Sequence, residues 1–197
     1  MTVADIDVTK HRNPAHNMEP MLFHRWSPRA LSGEAITDQE LMVLFEAARW
    51  APSSYNGQPW RFLYARRDTK HWDSFFNLMV EFNQSWTKHA AVLMVVLSRK
   101  TFEWNDELAP THSFDAGAAW QNLALQASRM GLVSHGMQGF DYDKARADLK
   151  VPDEYQVEAM IAVGRPGQIE DLPSDLREKE QPSDRKPVAE FAIEGGF

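Results

Sequence analysis

The sequence contains no cysteine. That absence excludes disulfides, thiol nucleophiles, thiolate metal sites and iron–sulfur ligation, so any redox chemistry has to come from a bound cofactor. Other signatures are missing as well. No GxGxxG follows a strand pattern and no GxxxxGK[ST] occurs, which leaves dinucleotide-binding Rossmann and P-loop readings without support. There is no HExxH for zinc, and no GxSxG elbow for a Ser-His-Asp hydrolase. His112 and Asp115 share a metal-like spacing, but a pair at a helix start has blander uses, and no metal is expected. Long apolar runs are lacking too. The longest, Ala90 to Leu97, has eight residues, too few to cross a bilayer as a helix. Met1 to Pro20 has no apolar core of the kind a secretory signal needs, so a cytoplasmic location is the expectation. Positive charge is in short supply: the net charge of -7 repels phosphate backbones and anionic membranes, and neither is expected as a partner.

What is present is enough for one domain. The 197 residues can bury a sizeable core, and seven tryptophans offer flat surfaces that pack together or against a planar ligand. Residues 1–20 read as a loose arm, and 21–197 as a single domain with a C-terminal extension from about residue 166. Between Pro166 and Pro187 the chain is rich in proline and charge, an extended surface connector. Val188 to Phe197 then alternates as a terminal strand would, and such a strand must dock somewhere, a neighbouring subunit being one candidate.

Helix and strand patterns alternate in between. Thr37 and Glu40 form a capping box before an apolar stripe of Leu41, Leu44, Phe45 and Ala48 that stops ahead of Pro52. Trp72, Phe75, Phe76 and Met79 predict a second amphipathic helix. Ser113 to Met130 is a third, with Gly131 as its stop, and Asp141 can cap a short fourth running towards Leu149. Strands are expected at Trp60–Ala65, Ala91–Ser98, Leu132–Met137 and Val157–Gly164. The class is α+β or mixed α/β; the pattern leaves strand order open.

Four segments carry candidate chemistry. Arg25-Trp26-Ser27-Pro28-Arg29 places two guanidinium groups and a hydroxyl together, suited to a phosphate or an electron-rich ring edge, though a solvated basic turn reads the same way. Pro52 to Pro59 is a polar loop offering Ser53, Ser54, Asn56 and Gln58 as donors and acceptors. Gly131 to Asp141 includes Gly136 and Gly139, which let backbone approach a ligand closely. Arg185 and Lys186 are late basic residues in an acidic chain.

Taken in order, RWSPR, APSSYNGQPWRF, NQSW, DAGAAWQNLALQASRMGL, MQGFD, AVGRPG and DRKPVAEF resemble the FMN-dependent nitroreductase family over roughly Met21 to Phe191. The PSSxNGQPW segment and the GAAxQNL helix are the specific ones. The resemblance implies an α+β sandwich: a mainly antiparallel central sheet flanked by helices, in a homodimer that exchanges its C-terminal strand and holds FMN at the interface. Arg25, Ser27, Arg29 and Arg185 match positions that hold the phosphate, ribityl chain and pyrimidine edge, with Trp26 filling the variable position between them. Pro52, Ser53, Ser54 and Asn56 match a loop supplied by the other subunit. Asn83 matches an amide that reads the pyrimidine edge, and Gln138 and Gly139 a turn facing the reactive nitrogen N5. Trp86 stands where some relatives have a lysine, leaving Arg29 to supply charge near N1–O2. Ser183 stands where some members are basic, and Gln138 where some carry glutamate.

The implied activity is reduction of small organic acceptors of nitroaromatic, quinone or enal type, with NAD(P)H as donor and ping-pong hydride transfer. The flavin does the chemistry, so no side chain is expected to be catalytic. Phe102, Trp104 and Leu108 are candidates to face substrate, or simply to pack a dimer. The alternatives are a non-catalytic FMN-binding or sensing protein, or a relative carrying out dehalogenation or substrate oxidation.

Overall fold

The computed structural model describes residues 1–196. Its α-helices are α1 (Pro20–His24), α2 (Asp38–Arg49), α3 (Trp72–Phe76), α4 (Glu81–Thr87), α5 (His112–Arg129), α6 (Tyr142–Asp148) and α7 (Ser174–Arg177). Four strands, β1 (Trp60–Arg66), β2 (Val92–Arg99), β3 (Val133–Met137) and β4 (Tyr155–Gly164), form one sheet in the order β1-β2-β4-β3. Every neighbouring pair is antiparallel, so the fold is α+β.

Local chemistry sets the elements. At α2 the Glu40 N–H donates to Thr37 Oγ1 at 3.1 Å, and the Thr37 N–H donates back to the Glu40 carboxylate at 2.7 Å. Leu41, Leu44 and Ala48 then face the sheet. The long helix α5 buries Ala116, Ala119, Leu123 and Ala127, and Gly131 follows at φ 70, a left-handed conformation that glycine adopts without steric cost. Asp141 caps α6 by accepting from the Lys144 N–H at 2.8 Å.

Strand β2 lies at the centre and is buried on both faces, as its unbroken apolar run requires. Leu93, Val95 and Leu97 join Phe75, Trp86, Ala145 and Leu176 in one layer. Val92, Met94 and Val96 join Leu41, Leu44, Ala119 and Leu123 in the other. Adding or deleting one residue in β2 would turn each set towards the wrong layer. The sheet's two edges are β1 and β3.

Three expectations are corrected. The helix anticipated from Trp72 to Met79 ends at Phe76, because the following backbone is drawn into pairing with residues 139–141: Val80 N–H donates to Gly139 O at 3.0 Å, and Asp141 N–H to Leu78 O at 2.9 Å. The terminal segment expected as a strand forms a single 3-10 turn at Val188–Glu190 and no strand among the described residues; Phe197 lies outside them. A strand needs a neighbouring edge to bond, and this chain offers it none there. The N-terminal arm is docked, not loose: Val3 and Val8 are buried, and Val3 N–H donates to Gly167 O at 3.1 Å.

Candidate cofactor site

Arg25, Trp26, Ser27 and Arg29 follow α1 in extended chain and meet the C-terminal connector. There they line a cavity of about 240 Å³ with Arg12, Ser183 and Arg185. Arg25 Nη1 donates to Ser27 Oγ at 3.2 Å, and Arg185 Nη1 donates to both oxygens of Ser183 at 3.1 Å. Arg29 lies 3.5 Å from Glu180, whose buried carboxylate also accepts the backbone N–H groups of Arg29 and Ala30. The remaining arginines have no such counter-ion: among the described residues no ion pair joins Arg12, Arg25 or Arg185 to a carboxylate. Burial, and then Arg185 nearby, push the Arg25 pKa down, while its Nε is buried without any acceptor. A buried guanidinium N–H facing nothing is costly, and an anion would satisfy it.

The edge strand β3 leads from this basic pocket to the Gln138–Gly139 turn. His135 Nδ1 donates to Pro28 O at 3.1 Å, and its ring lies 4.8 Å from that of Trp86. The indole N–H of Trp86 points to Asn83 Oδ1 at 3.4 Å, and Asn83 Nδ2 donates to Gly139 O at 3.0 Å. Arg25, Arg29, Trp86, Asn83 and Gly139 are thus brought into one contiguous strip. Asn83 is buried and spends its amide on holding the turn. The Gly139 N–H, by contrast, donates to no protein acceptor among the described residues. A Cβ on Gly139 would sit 2.5 Å from Asn83 Nδ2, so any larger residue there would make the buried Asn83 amide shift.

Pro52, Ser53, Ser54 and Asn56 are not part of that strip. The Ser54 N–H donates to Asp115 Oδ2 at 3.0 Å, fastening the loop to the first turn of α5. Tyr55, Asn56 and Gln58 adopt φ of 50, 55 and 46, which for Tyr and Gln is strained backbone of the kind that persists at binding loops. The loop enters β1 and the Gly139 turn leaves β3, at opposite edges of the sheet. Three strand spacings separate those edges, about 14 Å.

Comparison with known proteins decides the family. Residues 22–165 match the model of the nitroreductase family. The chain belongs to the nitroreductase family. A solved oxidoreductase containing FMN superposes with a TM-score of 0.90 and 43% identity, covering 94% of this chain and 96% of that one. A nitroreductase-like protein solved in complex with FMN, from Desulfovibrio desulfuricans, gives 0.70 and 28%, covering 92% and 99%. The oxygen-insensitive NADPH nitroreductase of Helicobacter pylori strain J99 is 40% identical over 127 residues, 64% of this chain and 55% of the relative.

Within this nitroreductase fold, sequence reasoning missed four residues. Arg12 and Glu180 lie in stretches read as arm and connector, where nothing in the pattern marks one charge over its neighbours. His135 lies in the Gly131–Asp141 stretch, where its pattern marks it for no role. Tyr55, exposed in the strained loop, meets Phe102 edge-on at 5.8 Å, and Phe102 stacks on Trp104 at 4.5 Å. Leu108 pairs across that hairpin with Thr101, so the segment expected to face substrate does present an exposed apolar surface. His112 and Asp115 diverge: His112 Nδ1 bonds Ser98 Oγ at 2.7 Å, while Asp115 holds the loop. No group of three candidate metal ligands occurs among the described residues, and none of their helices is long and apolar enough to cross a membrane.

Proposed function

We propose that this nitroreductase-family protein is a homodimeric, FMN-dependent oxidoreductase that reduces small organic acceptors with NAD(P)H. The observation that carries the reading is the basic pocket: Arg12, Arg25 and Arg185, none in an ion pair among the described residues, around a buried Arg25 Nε without an acceptor, running along β3 into a glycine turn with a free N–H. These residues fit a phosphorylated, planar cofactor. Arg25, Ser27 and Arg185 would hold the phosphate, Arg29 the ring edge beside it, and the Gly139 N–H an acceptor atom of the ring. Bound FMN would supply a two-electron carrier between nicotinamide and acceptor.

The chain's part is placement. Asn83 fixes the turn, Trp86 fills with apolar bulk a position that is cationic in some relatives, and Arg29 shares its charge with Glu180. Net positive charge near the ring is therefore modest, and it sits on the phosphate side. Because the Pro52–Asn56 loop lies at the far edge of the sheet, a second copy of the chain is needed to bring it over the cofactor. Tyr55, Phe102 and Trp104 would come with it as an aromatic wall for a flat acceptor. Donor and acceptor would use this one face in turn.

Heat-treated pure protein should release FMN, and apoprotein should rebind it. Initial rates with NADH or NADPH and a nitroaromatic or quinone under nitrogen should give parallel double-reciprocal plots. Intersecting lines would rule out the ping-pong scheme, and bound flavin that neither nicotinamide reduces would favour a sensing role.

A further inference from the structure

The matched family region begins at residue 22, yet the basic pocket contains a residue from before it. Arg12 is only 8% exposed. Its Nε donates to Ser183 O at 2.8 Å, and its Nη1 donates to Arg25 O at 2.7 Å and to Phe23 O. One guanidinium thus ties the chain after α1 to the C-terminal connector, the two walls of the cavity. The segment that delivers it is itself pinned. Val3 N–H and Ile169 N–H bond across to Gly167 and Met1 carbonyls at 3.1 Å, and Val8 is buried.

These carbonyl bonds use Nε and Nη1 of the guanidinium. Among the described residues no protein atom accepts from Nη2, so donors remain for a ligand. Desolvation, then Arg185 and Arg25 nearby, lower its pKa against a smaller opposing pull from Asp184, so the cation is held at a cost that a bound anion would offset. Ser183, its partner, carries no charge of its own. We propose that Arg12 is an unassigned ligand of the phosphate monoester dianion in this pocket, supplied by the N-terminal arm at the place where position 183 is uncharged. For the cofactor the inference rests on the FMN reading above; for the anion it stands alone.

The test is to titrate apoprotein of wild type, Arg12→Gln and Arg12→Lys with FMN and with riboflavin, which lacks the phosphate, following flavin fluorescence. A charge-assisted contact predicts FMN binding weakened about tenfold or more in Arg12→Gln, riboflavin binding unchanged, and substantial recovery in Arg12→Lys. Equal losses for FMN and riboflavin would assign Arg12 to scaffolding and overturn the proposal, as would no loss at all. Inorganic phosphate gives a second readout. At a fixed concentration it should raise the melting temperature of wild type and Arg12→Lys clearly more than that of Arg12→Gln, and equal shifts in all three would overturn the proposal. Should wild type ignore FMN, the cofactor reading fails by itself, and the phosphate-induced shift still decides Arg12.

Discussion

His135 lies within β3 and Gly139 two residues past its end, and each carries a test. Burial pushes the His135 pKa down to about 4; the Pro28 carbonyl opposes this and the Arg29 charge reinforces it. The imidazole is therefore neutral when folded at pH 7. The unfolded chain, with a pKa near 6.5, binds its proton first as pH falls. Stability from this group is complete above about 6.5, declines between there and about 4, and is constant below, a loss on the order of 3 kcal/mol. Urea midpoints of the apoprotein should fall across that window, and His135→Leu should flatten the slope. An unchanged slope in that variant would mean other groups dominate. At Gly139, alanine would force Asn83 Nδ2 out of its bond to the turn. Gly139→Ala should keep the fold, since the turn is at a sheet end, while weakening FMN by at least about tenfold, the worth of a displaced buried hydrogen bond. Wild-type affinity would show that the turn does not touch the ring.

At the level of elements, β4 carries a bulge where Val96 and Leu97 pair with Ala159 and Val157, leaving Glu158 as the extra residue. Its carboxylate turns towards the start of α5 and accepts from Ser113 Oγ at 2.7 Å and from the fully buried Ser98 Oγ, which also contacts His112. A carboxylate at a helix start also suits the dipole. Glu158→Ala should therefore cost about 1–3 kcal/mol of unfolding free energy, read from denaturant melts, and a neutral result would mean that solvent replaces these bonds. The bulge shifts the alternation by one, so Val157 shares a layer with Met160 and Ala162, not with Ile161 and Val163, and the unbroken apolar run 159–163 hides that slip in the sequence. The elements themselves were legible: all four expected strands appear with ends shifted by at most two residues, and the Thr37 and Asp141 caps form as their side chains dictate. What failed did so where tertiary context decided: at Met79 long-range pairing overrode the local pattern, and the terminal segment finds no edge to pair with in its own chain. Of the candidate site, Arg25, Ser27, Arg29 and Arg185 converge in one cavity, and Asn83 meets Gly139, but their meeting depends on contacts across most of the chain length. Arg12 and Glu180 were unreadable for the same reason, since only tertiary structure separates a buried charge from a solvated one.

At the scale of the whole molecule, the terminal segment is the feature one chain leaves unexplained. Val188, Phe191 and Ile193 are 46%, 67% and 48% exposed, an apolar series at the end of a charged connector. Alternation and apolar content favour a strand, but only beside an unpaired edge, and β1 and β3 are the edges a second chain presents. In the proposed dimer the segment would leave its own subunit after Arg185 and dock on its partner. Burying three such side chains is worth roughly 3–6 kcal/mol before ordering costs, enough to move a dimerisation constant by about two orders of magnitude. A chain ending at Pro187 keeps the arginine pocket and loses this segment, so dimer dissociation should become visible at micromolar protein in sedimentation equilibrium. FMN affinity should fall along with dimer population, because the Pro52–Asn56 loop would be supplied only by a partner. If the shortened chain stays as dimeric as the full one and holds FMN equally well, the terminal segment is a surface tail, and assembly must rest on the helices alone.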